Sequence, residues 1–194
     1  MPDQLDDALL VAAQRGESAA FASIWHALAP AVAAYLSAHG AEDPDATTSD
    51  VFVAVLPRLA KITGGVSGLR TFVFSVAHAR LVDELRRRRR RPATVTFDAA
   101  AHDGVAASAE HEAIVADGSA RVQALLDRLA PDHREVLTLR IVADLSIEQA
   151  ADVMHRSVGA IKQLQRRALS ALRCELDRAA GVTGSAVGSI TDMS

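Results

Sequence analysis

Apolar residues recur every three or four positions along most of the chain, which is the spacing of helices with one buried face. The clearest case begins at Ser146, where the sequence reads Ser-Ile-Glu-Gln. The Ser146 hydroxyl can accept from the third amide of a helix while Gln149 reaches back to the cap amide, so this stretch predicts a capping box. The apolar positions of the predicted helix are Ile147, Ala150, Ala151 and Met154.

A second helix is predicted directly after the turn at His155-Arg156, with Ser157 as its cap. Its apolar side consists of Val158, Ile161, Leu164, Ala168, Leu172 and Leu176. Its other side consists of donors and cations, namely Lys162, Gln163, Arg166, Arg167, Ser170 and Arg173. Two helices joined by so short a turn are typical of a helix-turn-helix, whose recognition helix enters the major groove. Periodicity alone leaves open a helical hairpin with a solvated basic face.

The first part of the chain carries several further helical stripes. One helix is predicted from a cap at Asp3 to Arg15-Gly16, a second from a cap at Ser18 through Leu28, and a third from Pro30 to Gly40. A fourth begins at Pro44, and Pro57 is expected to kink it or end it early. Its apolar positions are Val51, Phe52, Val55 and Leu59, with Asp50 turned away from them.

The longest predicted helix runs from Leu69 to about Arg90 and leads into six consecutive arginines, Arg86 to Arg91. A run of like charges usually frays into solvent. Arginines at a helix C-terminus also complement the helix dipole, and each can neutralise a phosphate whatever the base sequence. The three glycines between Thr63 and Gly68 predict a mobile loop before this helix.

The second part of the chain begins after a segment, 93–118, that contains acids but no base and is predicted to be a flexible linker. Helices are then predicted from a cap at Ser119 and from Pro131. The pattern therefore predicts an all-α fold in which two small helical domains are joined by a flexible linker and the second ends in the helix-turn-helix. The predicted divisions are 1–91 and 119–180 for the domains, 92–118 for the linker and 181–194 for a disordered tail.

Composition agrees with thin-cored helical packing, because 49% of the 194 residues are hydrophobic and only 4% are aromatic. The net charge of −3 hides a strong segregation, since 64–92 contains eight bases and two acids. A nucleic-acid binder need not be basic overall if its cations are gathered where the phosphates lie. In this chain, residues 64–92 gather such a set of cations.

The sequence points away from a metal centre, a cofactor and an enzyme. Cys174 is the only cysteine, so neither an intramolecular disulfide nor a CxxC metal site can form. The seven histidines are scattered, and no HExxH motif or nucleophile elbow occurs. No signal peptide is recognised and no apolar run is expected to approach the roughly 18 residues of a membrane span, which predicts a cytoplasmic protein without membrane insertion.

These features together resemble an extracytoplasmic-function (ECF) sigma factor of the sigma-70 family. The most similar stretches are Leu69-Arg-Thr-Phe-Val-Phe-Ser-Val-Ala, Asp83-Glu-Leu-Arg-Arg-Arg, Leu129-Ala-Pro-Asp-His-Arg-Glu-Val-Leu-Thr-Leu-Arg, Leu145-Ser-Ile-Glu-Gln-Ala-Ala and Ser157-Val-Gly-Ala-Ile-Lys. The resemblance implies a promoter-specificity subunit. Its first domain would grip the clamp helices of core RNA polymerase and capture the melted −10 element of promoter DNA. Its second would bind the polymerase flap and read the −35 element. The resemblance also implies an anti-sigma factor as a partner.

The resemblance assigns roles to individual positions. For polymerase binding it implies Asp50, Val51 and Phe52; for the −10 region it implies Arg70, Phe72, Arg80, Arg86, Arg87 and Arg88; for the −35 element it implies Ser157, Lys162, Gln163, Arg166 and Arg167. The chain departs from the family pattern at Ala46 to Ser49, at Ala79, where an asparagine is common, and at Gln165, which falls within the apolar arc. The alternative is a helix-turn-helix transcriptional regulator that is not a polymerase subunit.

Overall fold

The computed structural model describes residues 5–90, 118 and 120–185, and most of them are helical. The helices are α1 (Asp7–Gln14), α2 (Ser18–Ala38), α3 (Pro44–Val55), α4 (Gly65–Arg90), α5 (120–127), α6 (Pro131–Ile141), α7 (Ile147–Met154) and α8 (Val158–Ser185), with a 3₁₀ turn at Leu56–Lys61. No strand occurs within these residues, and the predicted all-α class is confirmed.

Several helix ends follow the local signals in the sequence. The capping box before α7 is present, with the Ser146 hydroxyl accepting from the Gln149 amide at 3.2 Å and the Ser146 amide donating to Gln149 Oε1 at 2.6 Å. Ser157 caps α8 by accepting from the Ala160 amide at 3.2 Å. Pro44 lies in the first turn of α3. These ends are predictable because the cap and its amide are neighbours in sequence.

Two predicted caps are wrong and a third lies outside the described residues. The cap of α1 is Asp6, whose carboxylate accepts from the Leu9 amide at 2.8 Å, rather than Asp3. Ser18 is the first residue of α2, and Glu17 in the cap position makes no side-chain capping bond. Ser119 is not among the described residues.

The two helices predicted on either side of Pro30 are a single helix, α2. A proline inside a helix removes one backbone hydrogen bond and usually kinks or breaks the helix. Here the buried stripe continues past it without interruption through Ile24, Leu28, Val32, Tyr35 and Leu36, all fully buried. Tertiary packing of a continuous apolar face therefore outweighs the local cost of Pro30. Pro57 acts as predicted, since α3 ends at Val55 and the chain tightens into the 3₁₀ turn.

Helix α2 also corrects the expectation about membrane spans. Its 21 residues reach a mean hydropathy of 1.4, enough for a span by length and composition, because it contains many alanines and no charged residue. Near the N-terminus this is weak evidence, since core helices and signal sequences meet the same criterion. The fully buried stripe on α2 shows that this helix supplies core packing in the folded chain.

The described helices form two groups, an N-terminal group of α1–α4 and a C-terminal group of α5–α8. In the N-terminal group the ring of Phe52 lies 4.6 Å from Trp25 and 6.5 Å from Phe21, measured between centroids. In the C-terminal group α6 and α7 pack on α8, around the fully buried Ile161 and Ala168.

The two groups also pack against each other, through α4 with α7 and through α2 with α6, and their buried residues form one continuous cluster. The boundaries of the two domains remain a prediction, and the predicted linker lies outside the described residues except for Gly118. Helix α8 continues to Ser185, and the rest of the predicted tail lies outside the described residues.

Candidate nucleic-acid interface

Helix α8 presents the predicted recognition face to solvent. His155 ends α7 with its backbone in the left-handed region, at a φ of 52°, and turns the chain into α8. The buried side chains of Ile161 and Ala168 then hold α8 against the C-terminal group. The five residues that the sequence assigned to the −35 element are all exposed, namely Ser157, Lys162, Gln163, Arg166 and Arg167. Ser157 stands at the start of α8, and the other four share the arc opposite Ile161 and Ala168.

Glu148 lies beside this face and was not singled out from the sequence. Its own backbone amide, the Ser146 hydroxyl at 2.9 Å and the charges of Lys162 and Arg140 hold the pKa of its carboxyl below the ordinary value. Glu148 is therefore ionised at neutral pH and places a negative charge next to Lys162. A carboxylate at the edge of a basic face favours particular base edges, because it can accept from the amino group of cytosine and repels phosphate.

The arginine-rich end of α4 forms a second basic surface. Arg80, Arg86, Arg87 and Arg90 line a groove of about 480 Å³ together with Asp83. Arg86 pairs loosely with Asp83 at 3.8 Å, and both side chains are about two-thirds exposed. An exposed pair of this kind is weak, so these cations are available to phosphate.

Arg88 does not join that groove. Its guanidinium donates to the Gly40 carbonyl at 2.7 Å, just beyond the C-terminus of α2. The structure thus separates Arg88 from Arg86 and Arg87, with which the sequence grouped it, and gives it a structural contact within the N-terminal group. Arg91 lies outside the described residues.

A cavity of about 410 Å³ opens where the 3₁₀ turn meets the start of α4. The half-buried Phe72 lines it together with Arg58, Lys61, Ile62, Thr63 and Gly68. Arg58 and Lys61 were missed from the sequence, although both follow Pro57, where the chain was predicted to bend. An aromatic ring and two cations around a cavity of this size suit a flipped base and its phosphates.

The glycine loop beside this cavity was predicted to be mobile, but side chains of α1 hold it. Asp7 Oδ1 accepts from the Val66 amide at 2.8 Å. Gln14 donates to the carbonyls of Leu59 and Ile62 at 3.2 and 2.9 Å. These partners are about 50 residues away in sequence, so local composition could not reveal them.

Replacing Gly68 with alanine should destabilise this loop. A Cβ at Gly68 would lie 1.9 Å from the Thr63 carbonyl oxygen, so backbone must shift. We expect a loss of about 1–3 kcal/mol in the free energy of unfolding, the usual cost of overpacking. Urea denaturation followed by circular dichroism measures it. Gly159→Ala is the control, because nothing lies within 4 Å of that Cβ. Equal stabilities for the two variants would contradict the clash.

The residues assigned to polymerase binding divide between surface and core. Asp50 is exposed, whereas Val51 and Phe52 are 0% and 2% exposed. The last two side chains pack inside the N-terminal group and cannot touch a partner directly, which corrects their assignment as contacts. Val53 and Leu56, at 71% and 50% exposed, are exposed apolar side chains close to Asp50 in the sequence and were missed. The signal that could have found them is the i, i+3 step from Asp50 to Val53 and from Val53 to Leu56.

An apolar groove of about 250 Å³ lies between α5, α6 and the far end of α8. Its lining includes Val122, Leu125, Leu126, Leu137, Ile141 and Leu176. Val122, Ile141 and Leu176 are 57%, 65% and 48% exposed. Apolar side chains clustered in this way mark an interaction surface. Within the described residues, no group of His, Cys, Asp and Glu side chains could hold a metal ion.

Comparison with known proteins finds similarity to one family. The sigma-70 region 4 model matches 125–173, which covers the helix-turn-helix. The chain is 28% identical to the ECF RNA polymerase sigma factor BldN of Streptomyces coelicolor over 166 residues, 84% of this chain and 63% of that protein. It is also 28% identical to the ECF RNA polymerase sigma factor SigD of Mycobacterium tuberculosis over 179 residues, 88% of this chain and 83% of SigD. The chain therefore contains a sigma-70 region 4 and is similar to ECF sigma factors over most of its length.

The fold of this chain has a counterpart among solved structures. The structure of CnrH in complex with the cytosolic domain of CnrY matches with a TM-score of 0.66 at 24% identity, over 90% of this chain and 99% of that chain. At that level of identity the likeness shows a shared fold. The region 4 match also includes the basic face of α8, with Lys162, Gln163, Arg166 and Arg167.

A buried polar cluster joins the two groups of the chain, and we call it the clasp. Tyr35 from α2, His39 from the C-cap of α2 and His78 from α4 meet Glu135 and Thr138 from α6. The Tyr35 hydroxyl donates to Glu135 Oε1 at 2.6 Å, and His78 Nδ1 lies 3.0 Å from the same oxygen. His39 Nε2 lies 2.9 Å from the Thr138 hydroxyl and 3.4 Å from Glu135 Oε2.

Burial and mutual contacts set the protonation of the clasp. Burial raises the pKa of Glu135, but the His78 hydrogen bond, the charges of His39 and His78, and the Tyr35 hydrogen bond outweigh it and lower the pKa overall. Burial lowers the pKa of His39; Glu135 opposes this shift, while Arg134 and His78 add to it. Burial first, and then the Glu135 charge and hydrogen bond, raise the pKa of Tyr35 well above its usual value. At neutral pH the clasp therefore holds an ionised Glu135, a neutral His39 and a neutral Tyr35.

Acid should weaken the folded state through this clasp. His39 and Glu135 both have pKa values below their ordinary 6.5 and 4.5, so the folded chain binds fewer protons than the unfolded chain just below those values. Their contribution to stability is present above the unfolded pKa and is lost as the pH falls. Urea denaturation from about pH 7 to about pH 5 should show a decline that is smaller in His39→Gln. A decline of equal size in His39→Gln would remove His39 as its cause.

Proposed function

We propose that this sigma factor binds core RNA polymerase and directs transcription initiation by recognising the −10 and −35 elements of its promoters. The observation that carries the proposal is the exposed face of α8 within the region 4 match, where Lys162, Gln163, Arg166 and Arg167 stand together. An amide on such a helix can pair bidentately with adenine, and a guanidinium can pair with guanine or contact phosphate. The sigma factor would then read the −35 duplex with α8.

The N-terminal group supplies what a melted −10 strand needs. The cavity beside Phe72 can receive an extruded base, with Arg58 and Lys61 near its phosphates. The groove of Arg80, Arg86, Arg87 and Arg90 can follow the backbone. Four of the residues predicted for the −10 region keep that role, namely Phe72, Arg80, Arg86 and Arg87. Arg70 would bind the −10 strand only after its contact with the C-terminal group opens. Arg88 instead supports the fold of the N-terminal group.

Two surfaces of the chain fit protein partners. The exposed side chains of Asp50 and Val53 on α3 and of Leu56 directly after it combine a charge with apolar groups and fit the polymerase clamp helices. The apolar groove of α5, α6 and α8 fits an apolar helix, either that of the polymerase flap or that of an anti-sigma factor. An anti-sigma partner is further favoured by the CnrH structure, which contains the cytosolic domain of CnrY. The protein would act in the cytoplasm, as a subunit without catalysis of its own.

In vitro transcription tests the proposal. Core RNA polymerase alone and core polymerase with the purified chain are supplied with a library of promoter fragments, and transcripts are sequenced. We expect transcripts only with the chain present, from templates that share two spaced elements. The control is the double variant Lys162→Ala, Arg167→Ala, which should fold normally because both side chains are exposed, and should lose the −35 preference. DNA binding by the free chain without any transcription would favour the alternative, a regulator that is not a polymerase subunit.

A further inference from the structure

Hydrogen bonds between the two groups occur at four places. The clasp is the first. At the second, the Gln149 side-chain amide donates to the Ser67 carbonyl and to the hydroxyls of Ser67 and Thr71, at 2.8, 2.9 and 2.8 Å. At the third, Arg70 donates to the Ala143 carbonyl at 3.3 Å. At the fourth, beside the clasp, Gln123 and Arg134 donate to the Ala38 carbonyl at 3.3 and 3.4 Å. The first turns of α4 are thus attached to the start of the helix-turn-helix.

The chemistry of the clasp suits an interface that can open. Glu135 is 8% exposed and Tyr35 is fully buried. Removing an ionised carboxylate from water costs free energy that its partners largely offset, so a buried ionic cluster adds specificity more than net stability. When the groups separate, Glu135 becomes solvated instead of being left unpaired in a core. Opening therefore costs less than separating two apolar faces with the same contacts.

The closed arrangement conflicts with reading a promoter. Ser67, Arg70 and Thr71 belong to the segment proposed to meet the melted strand, yet the C-terminal group occupies their polar groups. The two elements are also about 25 base pairs apart, or about 85 Å at about 3.4 Å per pair. Helices α4 and α7, which would serve different elements, are in direct hydrogen-bond contact. One rigid closed chain cannot occupy both elements.

We propose that the clasp is an autoinhibitory contact that holds the free sigma factor closed, and that it must open before the −10 and −35 elements are read together. The proposal rests on the proposed function for what is inhibited. Gln149 links the two states, because its Oε1 caps α7 in either state while its amide reaches Ser67 and Thr71 only when the chain is closed. Opening leaves the capping box intact and frees the start of α4.

The test opens the clasp by reversing one charge. Glu135→Arg places a cation against His39, His78 and Arg134 in the closed form, but in the open form the side chain lies at the surface of α6. The control is Asp177→Arg, which changes the net charge equally at an exposed position on α8, outside the clasp. Circular dichroism should show the same helicity for both variants.

The first readout is a distance that needs neither DNA nor polymerase. The single native Cys174 is exposed on α8, and Ser49→Cys provides an exposed site on α3. Spin labels at these two positions report the distance between the groups by electron paramagnetic resonance. We expect one short, narrow distance in the otherwise native chain and in Asp177→Arg, and a longer, broad distribution in Glu135→Arg.

The second readout is binding of a fluorescent single-stranded oligonucleotide of random sequence to the free chain. Binding to a partly populated open state is weakened by the open fraction, so Glu135→Arg should bind several-fold more tightly than Asp177→Arg. Three results would each overturn the proposal. They are a broad distance distribution in the native chain, a distribution in Glu135→Arg equal to that of the native chain, and equal oligonucleotide affinities for the two variants. Failure of the proposed function would be seen separately, as absent transcription with core polymerase, and would leave the distances unchanged.

Discussion

Phe52→Ala is expected to lower the free energy of unfolding of the protein by about 3–5 kcal/mol, the usual range for removing a buried phenylalanine. The Phe52 ring is 2% exposed and packs against Trp25 and Phe21. Its loss leaves a cavity at the junction of α2 and α3 that these rings cannot fill without moving. Urea denaturation followed by circular dichroism measures the change.

Two neighbouring variants separate this core role from polymerase binding. Val53→Ser and Asp50→Arg alter exposed side chains, so stability should stay within about 0.5 kcal/mol of the native chain. Both should weaken association with core RNA polymerase in a pull-down, because they change the outer side of α3. If Phe52→Ala keeps its stability but loses polymerase binding, Phe52 contacts the polymerase and its burial has been misjudged.

Gln163→Ala is expected to relax base preference within the −35 element by about 1–3 kcal/mol, roughly fivefold to 150-fold in relative affinity. Gln163 is exposed on the arc of α8 opposite Ile161, where its amide can reach base edges. The measurement is holoenzyme binding to a promoter library at several salt concentrations. Other positions of the element should keep their preference, since the remaining side chains of α8 are unchanged.

Arginines of the α4 groove should behave differently in the same experiment. Arg86→Gln should weaken all sequences alike and lower the salt slope by about 1, because a phosphate contact releases a counterion but reads no base. Arg88→Gln should change the slope less, since Arg88 donates to the Gly40 carbonyl. If Gln163→Ala leaves the −35 preference intact while Arg86→Gln alters it, the roles of base reader and phosphate anchor are reversed.

The C-terminal group was the more predictable part of the molecule. The Ser146 capping box, the Ser157 cap and the stripe from Ile161 to Ala168 all follow from residues three to seven positions apart. The same periodicity puts Gln163 and Arg167 on the exposed arc opposite that stripe. For these features the interacting groups are sequence neighbours, so local spacing contains the information.

The N-terminal group was less predictable because local sequence signals and tertiary packing favour different structures there. Pro30 is a strong local signal for a break, yet the buried face of α2 runs through it. Likeness to the family placed Val51 and Phe52 at an interface, whereas their position in the apolar stripe placed them in the core. The glycine loop was expected to move, but Asp7 and Gln14 hold it.

The order and spacing of nearby residues sufficed to predict most of the helices, several of their ends, the basic faces and the family resemblance. The contacts of Tyr35 with Glu135, 100 positions away, and of Gln149 with Ser67, 82 positions away, could be found only in the folded molecule. A tyrosine, two histidines and a glutamate scattered over three helices have no shared period. Their contact exists because the apolar faces of α2, α4 and α6 converge, and burial then makes each polar group require the others as partners.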